Sequence, residues 1–97
     1  MWILQSSDST EPPFLFRLSP GSSKTIGRST GAELILDAAL VSRLHCRLEA
    51  SSETLEVVDL ESTNGTFVNG TRIVRAHLIP GDRLQVGRVE LQVGRSA

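Results

Sequence analysis

The stretch DLESTNGTFVNGT, Asp59 to Thr71, holds two Asn-Gly pairs, Asn64-Gly65 and Asn69-Gly70, with Phe67 and Val68 between them. Asn-Gly supplies the positive φ that tight turns need. One such pair is enough for a hairpin, and Asn69-Gly70 fills that role between FVN (67–69) and RIV (72–74). The first pair follows Ser62 and Thr63, whose hydroxyls are available to bond to something else. The stretch therefore reads as an exposed loop leading into a β-hairpin.

The same rhythm of short strands and turns runs toward both ends. MWILQ (1–5), FLFRL (14–18), KTIGR (24–28), LIL (34–36), LHCRLEA (44–50), TLEVVDL (54–60), RLQVG (83–87) and VELQV (89–93) read as strands. LHCRLEA alternates Leu44, Cys46 and Leu48 with His45, Arg47 and Glu49, so the first three are expected on a buried face. SSDSTEPP (6–13), SPGSS (19–23), STGAE (29–33), SSE (51–53) and PGD (80–82) read as turns and loops. Only AELILDAALVSRLHC (32–46) hints at helix, and it is too interrupted for more than one turn. About ten strands at this spacing imply an all-β sandwich. Its polar clusters are then loops at the ends, where binding residues usually sit.

Ninety-seven residues make one domain. A chain of this size buries roughly 60–65% of its unfolded surface, enough for a single core without covalent staples. Hydrophobic residues at 39% and charged residues at 22% are those of an ordinary globular domain. A formal net charge of −1 provides no positive field for nucleic acid or an anionic membrane. The single cysteine, Cys46, cannot form an internal disulfide and suits a reducing compartment. Residues 1–20 lack the basic start and apolar run of a signal peptide. No run of about 18 apolar residues is long enough for a membrane-spanning helix.

Four clusters lie between the strands: IGR (26–28), VSRLH (41–45), STNGT (62–66) and PGD (80–82). Arg28 is a fixed cation with a planar fork of donors. Ser42 and Thr63 contribute hydroxyls, and Asn64 contributes an amide donor and a carbonyl acceptor. Together these groups suit a phosphate and the peptide attached to it. One cation among neutral donors matches a compact dianion, whereas a nucleic-acid surface needs a stripe of cations.

The order Gly27-Arg28, Ser42-Arg43-Leu44-His45, Ser62-Thr63-Asn64-Gly65-Thr66, Asn69-Gly70 and Gly81-Asp82 resembles the forkhead-associated (FHA) domain family, over about Phe14 to Val93. The resemblance implies an eleven-stranded β-sandwich of two largely antiparallel sheets, with binding loops at one end. It implies recognition of phosphothreonine in a partner protein, within Ser/Thr kinase signalling. By position, Arg28 and Ser42 correspond to phosphate ligands, Thr63 to a further phosphate or loop contact, and Arg43 to a side chain near the phosphate. Asn64 corresponds to the residue that bonds the peptide main chain. Gly27, Gly65 and His45 correspond to architectural positions, His45 bracing the loop that carries Ser42. Leu40 falls in the loop that reads the peptide three residues after the phosphothreonine, and predicts an aliphatic residue there over Asp. The whole chain, 1–97, is then a single FHA domain that is monomeric and intracellular, cytoplasmic or nuclear. It needs no cofactor or metal and binds neither nucleic acid nor membrane. It is also compatible with a piece of a longer protein.

Other residues have plainer readings. Cys46 reads as a buried inert thiol, His77 as a surface residue, and Asn69, Gly70 and Asp82 as turn residues. Arg72, Arg75, Arg83, Arg88 and Arg95 crowd the C-terminal third, and a solvated face is favoured there over a second anion site. Ser42, His45 and Asp59 offer the residue types of a catalytic triad, but there is no Gly-x-Ser-x-Gly elbow. Two histidines and one cysteine show no zinc spacing, and no phosphate-binding Gly-x-x-x-x-Gly-Lys loop occurs. An enzyme is not expected. A phosphate-independent scaffold or autoinhibitory domain of the same fold is the alternative, and the presence of Arg28, Ser42 and Asn64 weighs against it.

Overall fold

The computed structural model describes residues 1–6 and 13–96, so most of the SSDSTEPP loop lies outside the described residues. Eleven strands run in order: β1 (Trp2–Ser6), β2 (Leu15–Leu18), β3 (Ser23–Gly27), β4 (Leu34–Ile35), β5 (Cys46–Ala50), β6 (Leu55–Asp59), β7 (Thr66–Val68), β8 (Thr71–Ile73), β9 (Arg75–Leu78), β10 (Arg83–Val86) and β11 (Val89–Arg95). They form a six-stranded sheet, β2-β1-β11-β10-β7-β8, and a five-stranded sheet, β4-β3-β5-β6-β9. Among the described residues the one parallel pair is β3–β4; the other registers are antiparallel. This is the expected sandwich. Among the described residues there is no helix, and residues 36–45 form a loop instead of a helical turn.

Period-two alternation builds the core. Trp2 and Leu4 of β1, Cys46 and Leu48 of β5, and Leu91 and Val93 of β11 are buried, while Gln5, Glu90 and Gln92 face water. Each fully buried leucine adds about 1.5–3 kcal/mol relative to exposure. Burial pushes the Cys46 thiol up to about 12, with the Asp59 charge adding and the Thr66 hydroxyl opposing, so the thiol stays protonated and inert. Asn69 (φ 51°) and Gly70 (φ 85°) form the β7–β8 turn, with both central residues at the positive φ of a type I′ hairpin.

Two further sequence expectations change. Leu44 is 49% exposed, because β5 begins at Cys46 and the preceding residues belong to a loop. Alternation identifies a face but not where a strand starts. Nothing local in RAHL announces strand β9, because it presents only Ala76 and Leu78 inward. Its strand character comes from pairing with β6, Val57 against Ala76 and Leu55 against Leu78.

The registers bring several strand ends together. Ile26 pairs with Cys46 and Cys46 with Asp59, which places the end of β3, the start of β5 and the end of β6 side by side. In the other sheet Val86 pairs with both Thr66 and Val89. Residues 60–65 cross from the first sheet to the second at that same end. The sequence clusters 26–28, 41–45 and 62–66 therefore meet at one edge of the sandwich.

Candidate functional site

The first contact layer is backbone. Past Gly27 the chain keeps a loose ladder with the loop before β5. The Arg28 N–H donates to the Ser42 carbonyl at 3.0 Å, the Ser29 N–H to Arg43 at 3.3 Å, and the His45 N–H to Ile26 at 2.8 Å. A Cβ on Gly27 would lie 1.9 Å from the Arg43 carbonyl oxygen, so only glycine admits this approach. Arg28 and Ser42 are thereby neighbours across two loops. The Arg28 side chain points to solvent and is in no ion pair among the described residues.

His45 is fully buried and joins the loops. Its Nδ1 accepts the Ser42 N–H at 3.0 Å, and its Nε2 lies 2.8 Å from the Gly65 carbonyl oxygen. A carbonyl only accepts, so the proton sits on Nε2. Ser42 Oγ accepts the Thr63 N–H at 3.1 Å, which leaves the hydroxyl proton free to donate outward. Asn64 Nδ2 donates to the Leu40 carbonyl at 3.1 Å, which leaves Oδ1 and one N–H facing solvent. Leu40 is left-handed (φ 69°) and 42% exposed, a conformation costing about 1–2 kcal/mol that aims its carbonyl at Asn64. Gly87 supports it from below, since a Cβ there would approach the Leu40 carbonyl carbon to 2.9 Å.

Asp59 anchors the third loop. Its carboxylate accepts from Ser62 Oγ at 2.6 Å, Thr66 Oγ1 at 2.7 Å and the Ser62 N–H at 3.2 Å. Ser62 Oγ in turn accepts the Gly65 N–H at 3.0 Å, and Gly65 takes φ 88°. Partial burial raises the Asp59 pKa, but the Ser62 and Thr66 bonds outweigh it and the net shift is downward. A lowered folded-state pKa means stability that is complete above the unfolded carboxylate value, about 3.9, and lost as pH falls through the folded value. Asp59→Asn is expected to cost about 2 kcal/mol at neutral pH, allowing for partial solvent screening. The gap to wild type should shrink below about pH 4. Urea melts at both pH values read this directly; a gap that does not narrow in acid would refute the anchor.

The structure therefore brings Arg28, Ser42, Thr63, Asn64, Leu40, Gly27, His45 and Gly65 into one connected group. Arg43 joins it through its carbonyl, while its side chain is exposed and unpaired among the described residues. Ser42, His45 and Asp59 do not form a triad: both His45 nitrogens are engaged with backbone, and Asp59 is engaged with Ser62 and Thr66. Sequence reading missed Asp59 and Ser62 as loop anchors. The signal available was an acidic residue three positions before a serine, the spacing of a self-bonding turn. Among the described residues no cluster of His, Cys, Asp and Glu could hold a metal.

The sequence model described as FHA domain matches residues 24–87. The chain is 38% identical over 74 residues to an ABC transporter ATP-binding/permease protein of Mycobacterium tuberculosis, covering 76% of this chain and 8% of that protein. It is 37% identical over 65 residues to the glycogen accumulation regulator GarA of the same species, covering 67% of this chain and 40% of GarA. The chain thus spans less than half the length of either relative. A solved structure from a structural and functional analysis of phosphothreonine-dependent FHA domain interactions superposes with a TM-score of 0.84 at 31% identity, covering 99% of this chain and 97% of that one.

Proposed function

Since the chain belongs to the FHA domain family, we propose that it is a phosphothreonine-dependent binding module that recognises a phosphorylated partner protein in Ser/Thr kinase signalling. One observation carries the reading: Arg28, Ser42, Thr63 and Asn64 lie on loops tied to one another by hydrogen bonds, with their outward donors unused among the described residues. The Arg28 fork and the Ser42 hydroxyl take the phosphate, Thr63 adds a donor at its edge, and Arg43 lends charge. Asn64, oriented by Leu40, bonds the peptide main chain. Gly27, His45 and Gly65 hold these groups in place. The domain acts as a monomer, without cofactor, nucleic acid or membrane, inside the cell where kinases write the mark, and it performs no catalysis.

Calorimetry with a phosphothreonine peptide and its unphosphorylated twin tests this. The phosphorylated form should bind with low-micromolar affinity, roughly 8 kcal/mol, and the twin should not bind. The second phosphate pKa is about 6, so a site for the dianion should lose about tenfold in affinity between pH 7 and pH 5. Equal binding of the two peptides would end the proposal. A degenerate phosphopeptide library should favour aliphatic residues over Asp at the third position after the mark, where the exposed Leu40 side chain offers only apolar contact. Strong acidic selection at that position would instead point to Arg43.

A further inference from the structure

The five arginines of the C-terminal third do not share one face. Arg75 lies 3.6 Å from Glu56 and Arg83 lies 3.7 Å from Glu90. Arg95 sits 4.8 Å from the centre of the Trp2 ring. For these three, intramolecular partners explain the position. Arg72 differs. It stands on β8 directly opposite Phe67 of β7. Its Nε and Cζ lie 2.8 and 3.1 Å from where a Cβ on Gly65 would be, with a Phe67 ring carbon at 3.2 Å. The guanidinium therefore occupies the space that the missing Gly65 side chain leaves open, immediately beside Asn64. It is exposed and in no ion pair among the described residues, including with the exposed Glu61 of the same loop.

A guanidinium lying over Gly65, with no ion pair among the described residues, has a planar donor fork suited to an oxyanion. Gly65 directly follows Asn64, the residue assigned to the peptide main chain, whereas Arg28 is tied to the Ser42 loop. We propose that Arg72 is a specificity-determining residue that reads an acidic group on the bound peptide, near but separate from the phosphothreonine. This rests on the phosphothreonine-binding reading above. The position is distinct from the one Leu40 reads, because Leu40 meets the Asn64 amide while Arg72 meets Gly65. A carboxylate and a second phosphoryl group share the chemistry that suits the fork.

The test uses a phosphothreonine peptide with otherwise neutral flanks, variants carrying one Asp at each flanking position in turn, and a matching set carrying a second phosphoserine. Wild type should gain about fivefold in affinity from Asp at one position, the upper range for an exposed pair. The gain should shrink with added salt and disappear in Arg72→Gln. Arg72→Lys should retain only part of it, having charge without the fork. Arg83→Gln makes the same charge change on the β10 end away from the loops and should keep the gain. A larger gain from phosphoserine than from Asp at that position would identify a second phosphate as the source. The proposal is overturned by no gain at any position, by a gain that survives Arg72→Gln, or by equal loss in Arg83→Gln. Wild-type binding of the neutral-flanked phosphopeptide is read separately. If that binding holds and the gain is absent, only the role of Arg72 fails; if it is absent, the phosphothreonine reading fails as well.

Discussion

Arg28→Ala is expected to weaken phosphopeptide binding by at least about a hundredfold, while the melting temperature moves by no more than about 3 °C. The two effects separate because the side chain and the backbone of this residue do different work. The Arg28 N–H bonds the Ser42 carbonyl, and alanine keeps that bond. The guanidinium is exposed and in no ion pair among the described residues, so its removal leaves no buried group unpaired. A bidentate arginine–phosphate contact contributes two charge-assisted hydrogen bonds of about 1.5–3 kcal/mol each. Arg28→Lys should lose about tenfold, since an ammonium supplies charge without the planar fork. Calorimetry and a thermal melt on the same preparations check both halves. Wild-type affinity in Arg28→Ala would place the phosphate elsewhere.

What could be read from the sequence was what local chemistry encodes. Asn69-Gly70 announced its own hairpin, because a type I′ turn needs positive φ at both residues. Alternation in LHCRLEA identifies Cys46 and Leu48 on the buried face of β5. The outward groups Arg28, Ser42, Thr63 and Asn64 were legible as a set through their order along the chain, which carried the family resemblance. The parts that hold them in place were not legible, because they depend on contacts distant in sequence. Asn64 is oriented by the Leu40 carbonyl, 24 positions away. Leu40 rests on Gly87, which sequence reading treated only as the end of a strand. Arg72 reads as one more surface arginine because nothing local shows that it folds over Gly65. Strand β9 was missed for the same reason, since its character is lent by β6.

Gly27→Ala is expected to destabilise the domain by about 3–5 kcal/mol and to abolish phosphopeptide binding. Left-handed φ is not the cause: Gly27 is absent from the positive-φ residues, unlike Gly65, Gly70 and Gly87. The cause is space. An added Cβ would sit 1.9 Å from the Arg43 carbonyl oxygen, 2.7 Å from its carbonyl carbon and 3.0 Å from the Leu44 Cα. All three are backbone atoms, so no side-chain rotation relieves the overlap. Segment 42–45 must then lift away from β3. That strains the bonds from Arg28 to Ser42, from Ser29 to Arg43 and from His45 to Ile26 together. It also draws the buried His45 ring away from Gly65, leaving polar groups unpaired in the core at about 1–3 kcal/mol each. Gly94→Ala is the matching control, because its nearest contact would be the Ile3 carbonyl oxygen at an ordinary 3.9 Å. That variant should stay within about 1 kcal/mol of wild type. Urea midpoints for the two variants, with a phosphopeptide titration on whatever remains folded, decide the matter. Equal stability of Gly27→Ala and Gly94→Ala would mean that the Ser42 loop does not depend on the close approach at Gly27, and the link from that glycine to phosphate binding would fail with it.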